Sequence, residues 1–185
     1  QGFAEDHNEI KRCSAKAGSK RMNSIEIKGV KSIMTHILTR ETFDSFTISE
    51  ARVRTFVTYT IDGTFQPDFF TEEEKESDNF PTETFVRYAS VRKFLFEIIK
   101  GKRTPTYMKL VFHAPSLLIE RLIEKSGSTF TKDDVNSLTA TVSFRGGKVT
   151  IVTGTNYRVF SPDRSLDEAW DSFFERFLTK NNIDF

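Results

Sequence analysis

A chain of 185 residues, 37% apolar and 29% charged, is long enough for one domain with its own core and has a composition unlike that of disordered chains. Its net charge of +1 gives no bulk pull toward nucleic acid or an acidic membrane, and the single cysteine, Cys13, excludes an internal disulfide and a Cys-rich zinc site. No apolar run approaches the roughly 18 residues of a membrane span and no signal-peptide pattern opens the chain, so a reducing, cytoplasmic setting is expected.

Residues 1–21 carry little apolar content and no periodicity. They are expected to be a flexible extension or the remnant of a cleavable tag, with Met22 a candidate native start. They hold a net charge of +2, which leaves −1 on residues 22–185, expected to form a single domain. Phe, with 19 copies against one Trp, buries a large area with no polar atom to satisfy, and predicts a well-filled core.

From Ser24 the pattern becomes regular. Ser24–Lys28 alternates as a strand, and Val30, Ile33, Met34, Ile37 and Leu38 line one face of a helix. Phe46–Ile48 reads as a short strand, and Val53 to Ile61 as a longer one closed by Asp62-Gly63. Residues 68–83 form an acidic connection of net charge −6. A helix over about 88–100 carries the stripe Val91, Phe94, Leu95, Ile98 and Ile99, with Gly101 as its stop. Tyr107–His113 is a strand. Pro115 opens another helix, ended by Gly127. Residues 138–152 read as a hairpin turning at Arg145-Gly146-Gly147-Lys148, with Tyr157–Phe160 a last strand. Ser165 and Glu168 are spaced as a capping box for a C-terminal helix striped by Leu166, Trp170, Phe173, Phe174, Phe177 and Leu178. The predicted fold is α+β: a mainly antiparallel sheet, about four helices, and a long C-terminal helix packed on the sheet. Residues 24–61 and 107–160 also suggest two β-α-β-β units.

Chemistry-bearing residues are sparse. His7 lies in the excluded tail and His36 on the polar flank of the first helix. His113 ends a strand, where a general base is often placed, yet its local sequence specifies no partner. No phosphate-binding loop, nucleophile elbow or zinc-helix motif is present, so no cofactor and no metal are expected. The acidic run lacks the spacing of a calcium loop and reads as a solvated surface. The stretch 87–109 has net charge +6, and Lys100, Lys102 and Arg103 cluster in its loop beside Thr104 and Thr106. They form a candidate phosphate-binding loop, set against a solvated surface or neutralisation by the acidic run before it.

The blocks FDSF (Phe43–Phe46), TIDG (Thr60–Gly63), KGKRTP (Lys100–Pro105), TGT (Thr153–Thr155) and SLDEAWD (Ser165–Asp171) resemble an uncharacterised family, a domain of unknown function of clostridia-like Gram-positive bacteria. The resemblance runs from about Ser24 to Leu178. It implies a shared fold and a small bacterial cytoplasmic protein, and it carries over no catalytic residue.

Three functions remain in view. The first is a non-enzymatic interaction or regulatory domain, using Lys100, Lys102 and Arg103 toward a protein or a phosphate-bearing ligand. The second is a DNA-clamp-like protein built on the two units, so nucleic acid stays among the partners, whereas a membrane does not. The third is an enzyme whose dispersed site includes His113.

Overall fold

A computed structural model describes residues 23–78 and 80–185. The expected N-terminal extension lies outside them. Six strands, β1 (Ser24–Ile27), β2 (Thr47–Arg54), β3 (Thr58–Asp62), β4 (Tyr107–His113), β5 (Val135–Arg145) and β6 (Lys148–Tyr157), form one antiparallel sheet in the order β1-β6-β5-β4-β2-β3. The helices are α1 (Val30–Leu38), α2 (Glu72–Lys75), α3 (Tyr88–Ile99), α4 (Ser116–Ser126) and α5 (Ser165–Lys180).

Alternation along each strand separates two faces. On the closed face, Val53 of β2, Leu110 and Phe112 of β4, Ala140 and Val142 of β5 and Ile151 of β6 are fully buried. The helices cover this face. Tyr88 of α3 meets the Phe112 ring edge-on at 4.9 Å and donates its hydroxyl to Ile37 O of α1 at 2.8 Å. Phe174 and Phe177 of α5 pack on Phe46, and Trp170 Nε1 donates to Thr139 O at 2.9 Å. α5 contacts both β6 and α4. The predicted aromatic core is therefore centred on Phe43, Phe46, Phe112, Phe174 and Phe177, but Phe is not only core here: Phe56, Phe69 and Phe160 are largely exposed.

On the opposite face, strand residues such as Lys109, Val111, Thr141 and Ser143 keep solvent exposure. Register places Glu26, Thr150, Ser143, Lys109, Arg52 and Thr60 in one lateral row. Lys148, Arg145, Tyr107, Arg54 and Thr58 form the row at the end of the strands. All of these residues retain solvent exposure.

Several sequence expectations need correction. The stretch Val53–Ile61 is not one strand but the end of β2, a turn at 55–57 and β3, and of Phe46–Ile48 only Thr47 and Ile48 are strand, opening β2. The turn has three residues, so Val53↔Tyr59 and Ala51↔Ile61 keep odd-numbered residues on one face, and the alternation runs on through the reversal. No separate strand forms at Tyr157–Phe160; β6 runs to Tyr157 and stops. Ser165 does not cap α5 through a box with Glu168. Asp163 Oδ1 instead accepts from both the backbone N–H and the hydroxyl of Ser165, at 2.9 and 2.7 Å. The acidic run contains the short α2, whose capping box is made by Thr71 and Glu74. Gly127 ends α4 in the left-handed conformation, and Gly146 and Gly147 both take positive φ in the β5–β6 turn, as read from the sequence.

The order β-α-β-β does occur twice, but the two units pair differently. β4 lies beside β5, whereas β1 is separated from β2 by β6, β5 and β4. The common topology on which a clamp-like pair would rest is absent.

Candidate functional site

The turn at 55–57, the loop 100–106 and the Gly146-Gly147 turn all emerge at one end of the sheet, because β2, β4 and β5 end or begin there in register, Arg54↔Tyr107↔Arg145. Thr106 ties the loop down by donating its backbone N–H to Arg54 O at 2.9 Å. Lys100, Lys102 and Arg103 thus belong to a loop anchored at the same end of the sheet as Arg54, Arg145 and Lys148. Neighbouring strands lie about 4.8 Å apart, so the Arg54-to-Lys148 row spans roughly 14 Å.

Pairing divides these cations. Lys100 contacts Glu97 of the same helix end, Lys148 reaches Glu26 at 3.0 Å, and Lys109 and Arg52 share Glu50 at 2.8 and 3.4 Å. Arg92, also in the basic stretch, is held by both oxygens of Asp44 at 2.9 Å and donates to Thr39 O. Arg54, Lys102, Arg103 and Arg145 have no carboxylate partner among the described residues. Arg54 instead lies over the Tyr107 ring, 5.6 Å from its centroid.

The acidic run does not meet this edge. It leaves and re-enters the sheet at the other end of β2, through the bridges Thr64↔Phe85 and Thr47↔Arg87. Glu83 is occupied with Ser116 at the start of α4, and Lys75 with Glu72. Seven residue steps along β2, roughly 23 Å, separate the two ends. Among the described residues no ion pair joins the two segments.

His113 lies at that acidic end. Its Nε2 shares a hydrogen bond with Ser49 Oγ at 2.8 Å, and Phe85 packs on its ring at 4.5 Å. Burial pushes its pKa down to about 4, so the ring is neutral at pH 7. Among the described residues no carboxylate is hydrogen-bonded to it or paired with it. It lines neither the groove between α4 and α5, bounded by Leu122, Lys125, Glu168 and Arg176, nor the one beside α3, bounded by Leu38, Phe94 and Phe96. His36 is buried rather than on a polar flank. A guanidinium only donates, so the 3.1 Å bond from Arg40 makes Nε2 an acceptor and leaves Nδ1–H to donate to Thr42 Oγ1 at 2.8 Å. Burial and the Arg40 charge both lower its pKa. Among the described residues no group of His, Cys, Asp or Glu is placed to hold a metal ion, and no helix is long and apolar enough to cross a membrane.

Of the residues singled out in the sequence, Lys100, Lys102 and Arg103 thus lie in the loop entering β4 at the strand ends that carry Arg54, Tyr107, Arg145 and Lys148, four residues that sequence reasoning missed. Each of those four belongs to a different strand, and only sheet register brings them together. The alternation of β2 and β4 was a partial signal, since it put Arg52 with Arg54 and Tyr107 with Lys109 on the solvent side.

No curated protein and no solved structure matches the chain. A family model does match, over residues 36–185, and its description is a family of unknown function, DUF5721. That span includes every strand but β1 and the whole basic edge. The chain belongs to the DUF5721 family.

Proposed function

We propose that the protein is a non-enzymatic interaction domain that binds a polyanionic, phosphate-bearing partner on the basic edge of its open sheet face. The observation that carries this reading is the row of Arg54 and Arg145 at one end of the strands, with Lys102 and Arg103 in the loop that enters β4 there, none of the four having a carboxylate partner among the described residues. Lys100 and Lys148 add charge: their ion pairs are exposed, and such pairs are worth little and exchange readily with a stronger anion. The rigid sheet holds the strand-borne cations in place, so little ordering entropy is lost on binding. A cytoplasmic setting in a Gram-positive bacterium accords with this reading, supported by the lone Cys13 and the resemblance noted in the sequence.

The test is retention on immobilised heparin at low salt. The parent protein is expected to be retained, and Lys100→Ala/Lys102→Ala/Arg103→Ala to elute at clearly lower salt. Flow-through of the parent protein would reject the proposal.

A second reading, a dispersed hydrolytic site, draws on the 2.8 Å bond between Ser49 and His113. Phe85 on the ring and the lack, among the described residues, of an acid to orient it weigh against this. Labelling of Ser49 by a fluorophosphonate, abolished in His113→Gln, would revive it.

A further inference from the structure

We infer that the polyanion is a single-stranded nucleic acid, with its backbone along Arg54 and Arg145 and a base stacked on Phe56. This rests on the polyanion reading above and adds the chemical class of the ligand.

Phe56 stands at the tip of the β2–β3 turn, on the same edge as the cations, and is 90% exposed. No aromatic ring packs against it among the described residues. Turn chemistry gives no reason for it: tight hairpins favour Asn, Asp and Gly at their tips. Leaving a Phe in water forgoes about 1.5–3 kcal/mol of burial, a cost that an external apolar partner removes. Val57 beside it is also exposed.

The turn is held in shape, because Thr55 donates both its backbone N–H and its hydroxyl to Val57 O, at 2.8 and 3.3 Å. The ring is thus presented by an ordered segment. Tyr107 is a second aromatic on this edge, with Arg54 over its ring. Aromatic faces interleaved with cations are what unpaired bases on a phosphate chain require: the rings take the bases and the guanidinium groups take the phosphates.

Two other exposed rings are set elsewhere: Phe69 leans on Phe70 within the acidic connection, and Phe94 lies on α3 with Lys93 over its ring, away from the strand-end row of Arg54, Tyr107 and Arg145. A duplex keeps its bases stacked and so cannot offer them to Phe56 without local unstacking. A bare anionic polymer offers phosphate-like charge but nothing for the ring.

The discriminating experiment is fluorescence anisotropy at low salt with three probes: oligothymidylate, an abasic oligomer of equal length, and a duplex. The parent protein is expected to bind oligothymidylate at least about tenfold more tightly than the abasic oligomer, and more tightly than the duplex. Phe56→Ala, which removes an exposed side chain and leaves the core untouched, is expected to lose about tenfold on oligothymidylate alone, with an unchanged salt slope. Equal binding of the thymidylate and abasic oligomers, or tighter duplex binding, overturns the single-strand inference while the polyanion reading survives. Binding of none of the three overturns both.

Discussion

The two faces of the sheet are built from the same strands and differ in nearly every physical respect. On the closed face, residues such as Phe112, Leu110 and Val142 are removed from water and covered by α1, α3 and α5. On the open face, their immediate neighbours in sequence, Val111, Lys109 and Thr141, meet solvent, and the charged residues of this face are either paired, as in Lys109–Glu50, or have no carboxylate partner among the described residues, as with Arg145. One residue step along a strand thus separates a position governed by packing from one governed by charge. The contrast teaches where to look for each role: substitutions on the closed face should act on stability, and those on the open face should leave stability nearly unchanged and test the proposed binding.

The largest effect is expected on the closed face. Phe112→Ala should destabilise the fold by about 3–5 kcal/mol, read as a lower urea midpoint, because Phe43, Phe46 and Tyr88 all pack against that ring. A loss below about 1 kcal/mol would mean that the aromatic cluster is not the core.

Next comes Gly63, where the acidic connection leaves the sheet. A Cβ there would fall 1.8 Å from Ile48 O, so backbone must move, and Gly63→Ala should cost about 1–3 kcal/mol in the same measurement.

His113 gives a smaller, pH-dependent effect. Its folded pKa is depressed to about 4 from 6.5, so the folded state favours the neutral ring. Its contribution to stability is complete above pH 6.5 and is lost as pH falls toward 4. Discounted for solvent screening, the loss should be about 1–2 kcal/mol and should be absent in His113→Gln. An NMR titration placing the ring near its ordinary pKa would contradict this.

The smallest stability effect is expected on the open face. Arg54→Ala/Arg145→Ala should change the urea midpoint by no more than about 0.5 kcal/mol while weakening polyanion binding. A large loss of stability there would erase the distinction between the faces.

Much of this was legible in the sequence, for definable reasons. Long stripes such as Leu166, Trp170, Phe174 and Leu178 specify a helix and its buried side without ambiguity. The β2–β3 reversal was hidden because an odd-length turn preserves the alternation and lacks the usual Gly or Asn signal. The pairing of Asp163 with Ser165 ahead of α5 was missed in favour of a box between Ser165 and Glu168, since several polar residues at a helix start compete for the same N–H groups. The Lys100–Arg103 loop was visible as a charge run. The rest of its edge was not, because Arg54, Tyr107 and Arg145 are far apart in sequence and adjacent only through pairing between strands.

The most direct test of the basic edge is the salt dependence of oligothymidylate affinity, compared between the parent protein and Arg54→Ala/Lys102→Ala/Arg103→Ala/Arg145→Ala. The parent's log affinity should fall linearly with log salt, and the variant's slope should be shallower by about 0.7 for each cation that contacts a phosphate. No binding by the parent at low salt, or an identical slope in the variant, would contradict the assignment of this edge as the binding surface.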